Sequence, residues 1–171
     1  MFHPLRLLAF ALALFIAPAW AALDPASVLP LADEDPDVRI EAIRKLTATQ
    51  EPRVADILSA LSNEALGLID NGRRAVIASD GRMVDAVTGA PLGAVPANFE
   101  ALMVNNRLRG EIDAALAALK LASPDAAARL AAAKALQGSD NEGLLPIVQH
   151  AIDKETDPEV KGVLELSAAS L

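Results

Sequence analysis

The sequence predicts a mostly α protein: a stacked helical repeat, or α-α superhelix, interrupted by a small β-hairpin insertion. Three observations carry that prediction. A helix-opening phrase occurs at Asp35-Pro36-Asp37 and returns at Ser123-Pro124-Asp125 and Asp157-Pro158-Glu159. Each copy sets a capping Asp or Ser before a Pro whose missing N–H is no loss at the first helical position, and then an acid where the helix dipole favours one. Apolar residues after the openings recur at helical spacing, whereas Gly72, Gly81, Gly89 and Gly93 punctuate a β-prone stretch between the first opening and the second.

Residues 1–21 read as a cleaved signal peptide. Arg6 lies in a short basic region, an apolar run covers 7–17, and Ala19-Trp20-Ala21 supplies a small-residue cleavage site ahead of Ala22. The run is shorter than the roughly 20 apolar residues that span a bilayer. A periplasmic or extracytoplasmic location is therefore expected, with residues 22–171 as one helical-repeat domain. Without the leader, Phe99 is the only aromatic residue and His150 the only histidine.

Within that domain, 24–31 suggests a short helix interrupted by Pro25 and Pro30. A first repeat hairpin is expected over 35–61. Ala42, Ile43 and Leu46 point inward from its first helix, with Glu41 and Lys45 paired outside, and Val54, Ile57, Leu58 and Leu61 keep the i, i+3, i+4, i+7 rule in the second. The β-insertion is placed at 71–96, with strands over 73–78 and 83–87 joined by Ser79-Asp80-Gly81-Arg82. A second turn follows at Thr88-Gly89-Ala90-Pro91, then a short third strand over 92–95. A central helix is expected over 98–121, capped by Asn98 and lined by Leu108, Ile112, Ala115 and Leu119. A second repeat hairpin at 123–152 follows, Ser123 capping it, Leu130, Ala133 and Leu136 lining one helix and Leu145, Val148 and Ile152 the other. A terminal helix at 158–171 has no partner in the repeat pattern.

The composition narrows function by exclusion. The net charge of −8 becomes −9 once the segment carrying Arg6 is removed, leaving 14 basic against 23 acidic residues. A surface of that sign repels nucleic acid and anionic lipid. Absence of cysteine removes thiolate nucleophiles and cysteine-based metal sites. His150 alone can form neither a metal site nor a catalytic pair, and the acidic run Asp33-Glu34-Asp35 suits the positive end of a helix. With no nucleophile motif, phosphate loop or dinucleotide fingerprint, no catalytic residue, cofactor site or metal site is expected. The polar group that stands out is Asn105, Asn106, Arg107 and Arg109, a locally basic cluster beside the β-insertion in an acidic protein. It is the candidate docking site for a protein partner, with Arg107 paired internally and Arg109 directed outward.

The Pro-Asp-x-x-Arg openings resemble bacterial HEAT-type repeats. The order of Asp-Pro-Asp-Val-Arg, Ser-Asp-Gly-Arg, Ala-Val-Thr-Gly-Ala-Pro-Leu-Gly, Val104-Asn105-Asn106-Arg107-Leu108-Arg109, Ser-Pro-Asp, the run Ala-Ala-Arg-Leu-Ala-Ala-Ala-Lys-Ala-Leu and Lys154-Glu155-Thr156-Asp157-Pro158-Glu159-Val160-Lys161 resembles the N-terminal extracytoplasmic region of the urea ABC transporter permease subunit. The resemblance covers essentially the whole sequence. It implies a non-catalytic interaction or scaffold domain with transporter subunits or a solute-binding protein as partners, and it supplies no ligand residues. Members of that family continue into many transmembrane helices that this sequence does not carry, so membrane attachment would come through a portion not present here. A free-standing periplasmic HEAT-repeat adaptor unrelated to transport and a small-molecule-binding module are the alternative readings.

Overall fold

The computed structural model describes residues 23–139 and 141–171. The leader assigned to 1–21 lies outside the described residues. Seven α-helices and a four-stranded antiparallel sheet follow one another: α1 (Pro25–Val28) running into a 3-10 turn (Leu29–Ala32), α2 (Pro36–Thr49), α3 (Pro52–Ser62), β1 (Leu66–Ile69), β2 (Arg74–Ser79), β3 (Arg82–Asp85), β4 (Pro91–Ala94), α4 (Asn106–Lys120), α5 (Ala126–Leu136), a second 3-10 turn (Glu142–Leu144), α6 (Leu145–Lys154) and α7 (Pro158–Ser170).

The helix openings act locally as their chemistry demands. Asp35 caps α2 by accepting from the Asp37 N–H at 2.9 Å, and Asp157 caps α7 by accepting from those of Glu159 and Val160. At the middle copy the cap is Asp125, not Ser123. Its carboxylate accepts from the Ala127 N–H, and Pro124 falls one residue outside the helix. A carboxylate is the better acceptor at a positive helix end, so it takes the cap when both residues are in reach.

The helices do not assemble as two hairpins. α2 packs chiefly on α4 and only lightly on α3, α4 packs on α5, and α5 packs on α7, giving a file α2–α4–α5–α7 with α3 set against α4 and α6 against α7. The terminal helix therefore has partners on two sides. Two apolar clusters result. Ile43, Leu46, Val54, Ile57, Leu58 and Leu61 join Leu66, Leu108 and Ile112 in one, and Leu136, Leu144, Val148, Val160 and Leu164 join Ala117, Ala118 and Leu121 in the other. α4 is the wall between them, sending Leu108, Ile112 and Ala115 to the first and Ala114, Ala117, Ala118 and Leu121 to the second.

The insertion is larger than 71–96 and starts earlier. Strand order is β1-β2-β3-β4, and β1 pairs with β2 from Leu66↔Ile77 to Ile69↔Arg74. The Asp80-Gly81 turn is as its sequence dictates: both residues have positive φ (51° and 73°), the mirror-image turn that suits a two-residue hairpin loop. Leu66, Leu68, Ala75 and Ile77 face the helical core, and Arg53 ties the sheet to α3 through Nη2 donating to the Ala86 carbonyl at 2.9 Å.

Residues 98–105 are not helical. They form an arm along the outer edge of β1, where Ala101 bridges to Gly67 and the Leu102 N–H donates to the Leu66 carbonyl at 2.8 Å. Phe99 lays its ring on Gly67, so close that a Cβ there would stand 2.5 Å from its Cε2 atom. Gly67 pairs with the fully buried Val76, so the ring covers the sheet face turned away from the helices. Burial of that ring and the pairing with β1 hold the arm extended, and the helix expected from Asn98 begins only at Asn106.

Candidate docking site

The four residues singled out in the sequence meet at the start of α4 and divide into three roles. Asn105 is the N-cap, its Oδ1 accepting from the Leu108 N–H at 2.8 Å. Arg109 is a tie: Nη1 donates to the Ser62 carbonyl at the end of α3 at 3.1 Å, and Nη2 lies 4.0 Å from the Glu64 carboxylate. Asn106 and Arg107 face outward, Arg107 reaching Asp37 at 2.8 Å in a pair whose side chains are 64% and 74% exposed. Arg107 is thus paired within the domain as expected, though at the surface, whereas Arg109, expected to face outward, is tied to the end of α3. α4 turns position 109 toward the free carbonyls ending α3, and such carbonyls seek a donor.

Two exposed apolar residues lie close in sequence to the Arg107–Asp37 pair. Met103 is 70% exposed, on an arm fixed by the Leu102 hydrogen bond one residue earlier, and Val38 is exposed next to Asp37. Behind them a polar groove of about 560 Å³ runs between α2, α4 and the end of α5, lined by Arg44, Asn106, Arg107, Asp113, Gln137 and Asn141 among others.

The groove's inner wall is a triad that sequence reading missed. Glu111 receives Arg44 Nη2 on one oxygen at 3.1 Å and Asn141 Nδ2 on the other at 2.6 Å, while Asn141, only 2% exposed, takes the Gly143 N–H on its Oδ1. Both Glu111 oxygens are engaged, which makes it a fastener of α2, α4 and the second 3-10 turn rather than a free base. Only its place one helical turn after Arg107 could have hinted at this.

A second ion pair closes the far end of the molecule. Arg129 grips Glu155 bidentately, Nε to Oε2 at 2.7 Å and Nη2 to Oε1 at 2.9 Å, and the Thr156 and Asp157 N–H groups also donate to Oε1. The Arg129 hydrogen bonds, helped by those two amides, hold the Glu155 carboxyl down at about 2 against the burial that would raise it. Asp85 is lowered by donors from Thr88 and Val87 and by Arg74, which together outweigh its desolvation. His150 is exposed on α6. Among the described residues no group of three or more His, Asp or Glu side chains is placed to hold a metal ion, and no helix is long and apolar enough to cross a membrane. No family model matches the chain, and neither a curated protein nor a solved structure does.

Proposed function

We propose that this chain is a non-catalytic extracytoplasmic interaction module, a HEAT-like domain of the kind that precedes the membrane part of urea-type ABC uptake permeases, and that it docks a protein partner at the start of α4. The observation that carries the docking reading is that Met103, exposed by 70% on a fixed arm, and the exposed Arg107 lie four residues apart where the chain enters α4. Methionine and arginine are both enriched at the centres of interfaces. The Arg107–Asp37 pair is exposed on both sides and worth at most about 1 kcal/mol, so a partner carboxylate can compete for the guanidinium. The transporter resemblance rests on the order of sequence motifs, and the mostly helical fold with a small antiparallel sheet agrees with it at the level of fold class.

The partner surface is acidic, on another subunit of the transporter or its solute-binding protein, because Arg107 is an exposed positive charge on a module whose net charge is negative and would repel such a surface elsewhere. Calorimetric titration of the module with those proteins tests it. Met103→Glu combined with Arg107→Glu should weaken association about tenfold or more and leave the melting temperature within a few degrees, since both side chains are exposed. Arg109→Ala should do the reverse, lowering stability and sparing association. Unchanged affinity in the double variant would overturn the proposal.

A further inference from the structure

α6 leaves one helical face without a helix against it. It packs on α7 and on the 3-10 turn before it, while Ile147, His150, Ala151 and Lys154, spaced i, i+3, i+4, i+7, line an open cleft of about 490 Å³. The opposite wall is the end of α4, with Leu119, and the turn after it, with Ala122. Ile147, Ala151 and Leu119 are half-buried and form the apolar floor, with His150 and Lys154 exposed at the rim. Arg129 and Glu155 close one end, but each is consumed by the other. Among the lining side chains Lys154 carries the one charge without an ion-pair partner in the described residues, while Asp125 and Asp157 stand near Arg129 at the closed end, so the positive charge is local to the Lys154 rim.

We propose that this cleft is a second docking site, which receives an amphipathic helix of a partner protein bearing an apolar stripe and flanking carboxylates. The α6 stripe, facing the last turn of α4 and the loop after it, leaves a groove in which a further helix packs its ridge. The α6 stripe runs seven residues, about 10 Å, and so accommodates about two turns of that helix. A second copy of this chain offers the wrong charge, since a symmetric contact brings Lys154 against Lys154. The cleft lies at the end of α4 opposite to Arg107, about 20 Å away along the helix, so this proposal and the docking of a partner at Arg107 fail separately.

The test is fluorescence anisotropy with two dye-labelled helical peptides carrying the same leucine stripe at i, i+3, i+4, i+7, one flanked by glutamates and the other by lysines. The glutamate peptide should bind about fivefold tighter or more, the ratio expected when an attractive exposed pair replaces a repulsive one. Lys154→Glu should invert the preference. Ala122→Arg, at an exposed position that leaves the core intact, should block both peptides, with circular dichroism confirming the fold, and Met103→Glu should leave both unaffected. Failure of both peptides to bind, equal affinity for the two, or binding indifferent to Ala122→Arg would overturn the proposal. Displacement by decanoate without any peptide preference would assign the cleft to small amphiphiles instead.

Discussion

Gly67→Ala isolates the contact that holds the arm on the sheet. The added Cβ would stand 2.5 and 2.6 Å from two carbons of the Phe99 ring and 2.6 Å from the Glu100 carbonyl oxygen. Unstrained carbon contacts need about 3.5 to 4.0 Å, so the ring must retreat by about 1 Å and the arm backbone must lift with it. Overpacking of this kind costs about 1 to 3 kcal/mol. Lifting the arm also strains the Leu102-to-Leu66 hydrogen bond, worth about 1 kcal/mol. The variant should lose about 2 to 4 kcal/mol, a fall in melting temperature of roughly 5 to 12 °C. Far-ultraviolet circular dichroism in a urea series measures it, because tyrosine is absent and Trp20 is the only tryptophan. A double-mutant cycle with Phe99→Ala should show positive relief, the Gly67 change costing about 1 kcal/mol less once the ring is gone. A loss below about 0.5 kcal/mol, or one identical in both backgrounds, would refute the role given to the ring.

Two further outcomes follow from the cores and the buried carboxylate. Ile57→Ala and Leu136→Ala should each cost about 2 to 5 kcal/mol, and their sum should hold within about 0.5 kcal/mol, because the residues are fully buried in different clusters; a large non-additive remainder in urea melts would merge the two cores into one. Glu155 binds its proton more weakly when folded, at about 2, than as an ordinary carboxylate near 4.3, so its contribution is complete above that ordinary value and is lost as pH falls from about 5 toward 2. Glu155→Gln should flatten the fall in melting temperature over that window without abolishing it, Asp85 supplying a remainder of the same sign; an unchanged profile would mean that the Arg129 pair does not survive in solution.

What could be read from the sequence was whatever short-range chemistry decides. The openings at Asp35 and Asp157, the apolar faces of α2 and α3 and the Asp80-Gly81 turn are fixed by neighbours within four residues, and each was legible. β1 was not, because a four-residue run containing Gly67 carries a weak strand signal and depends on β2 for its hydrogen bonds. The arm at 98–105 escaped for a similar reason: its conformation is set by Phe99 meeting Gly67, 32 residues earlier, and Asn98 mimics a cap that Asn105 supplies. At the docking site the cluster was found and Arg107 is paired within the domain as expected, but Arg109 was expected to face outward. Arg109 turns inward only because α3 ends beside it, and no periodicity within α4 records where another helix stops.

α4 has alanines at 114, 115, 117 and 118, so it meets neighbours on both sides through short side chains and lies close to each. A rod clasped in two sleeves transmits displacement along its length. A partner that draws Arg107 outward by moving the helix moves Leu119 at the other end by a comparable amount, because a hydrogen-bonded helix of 15 residues scarcely stretches. With partners bound at both proposed sites, the groove behind Arg107 and the cleft beside α6 would exchange free energy through this one element. By linkage, whatever change in affinity the first partner imposes on the second, the second returns in equal measure.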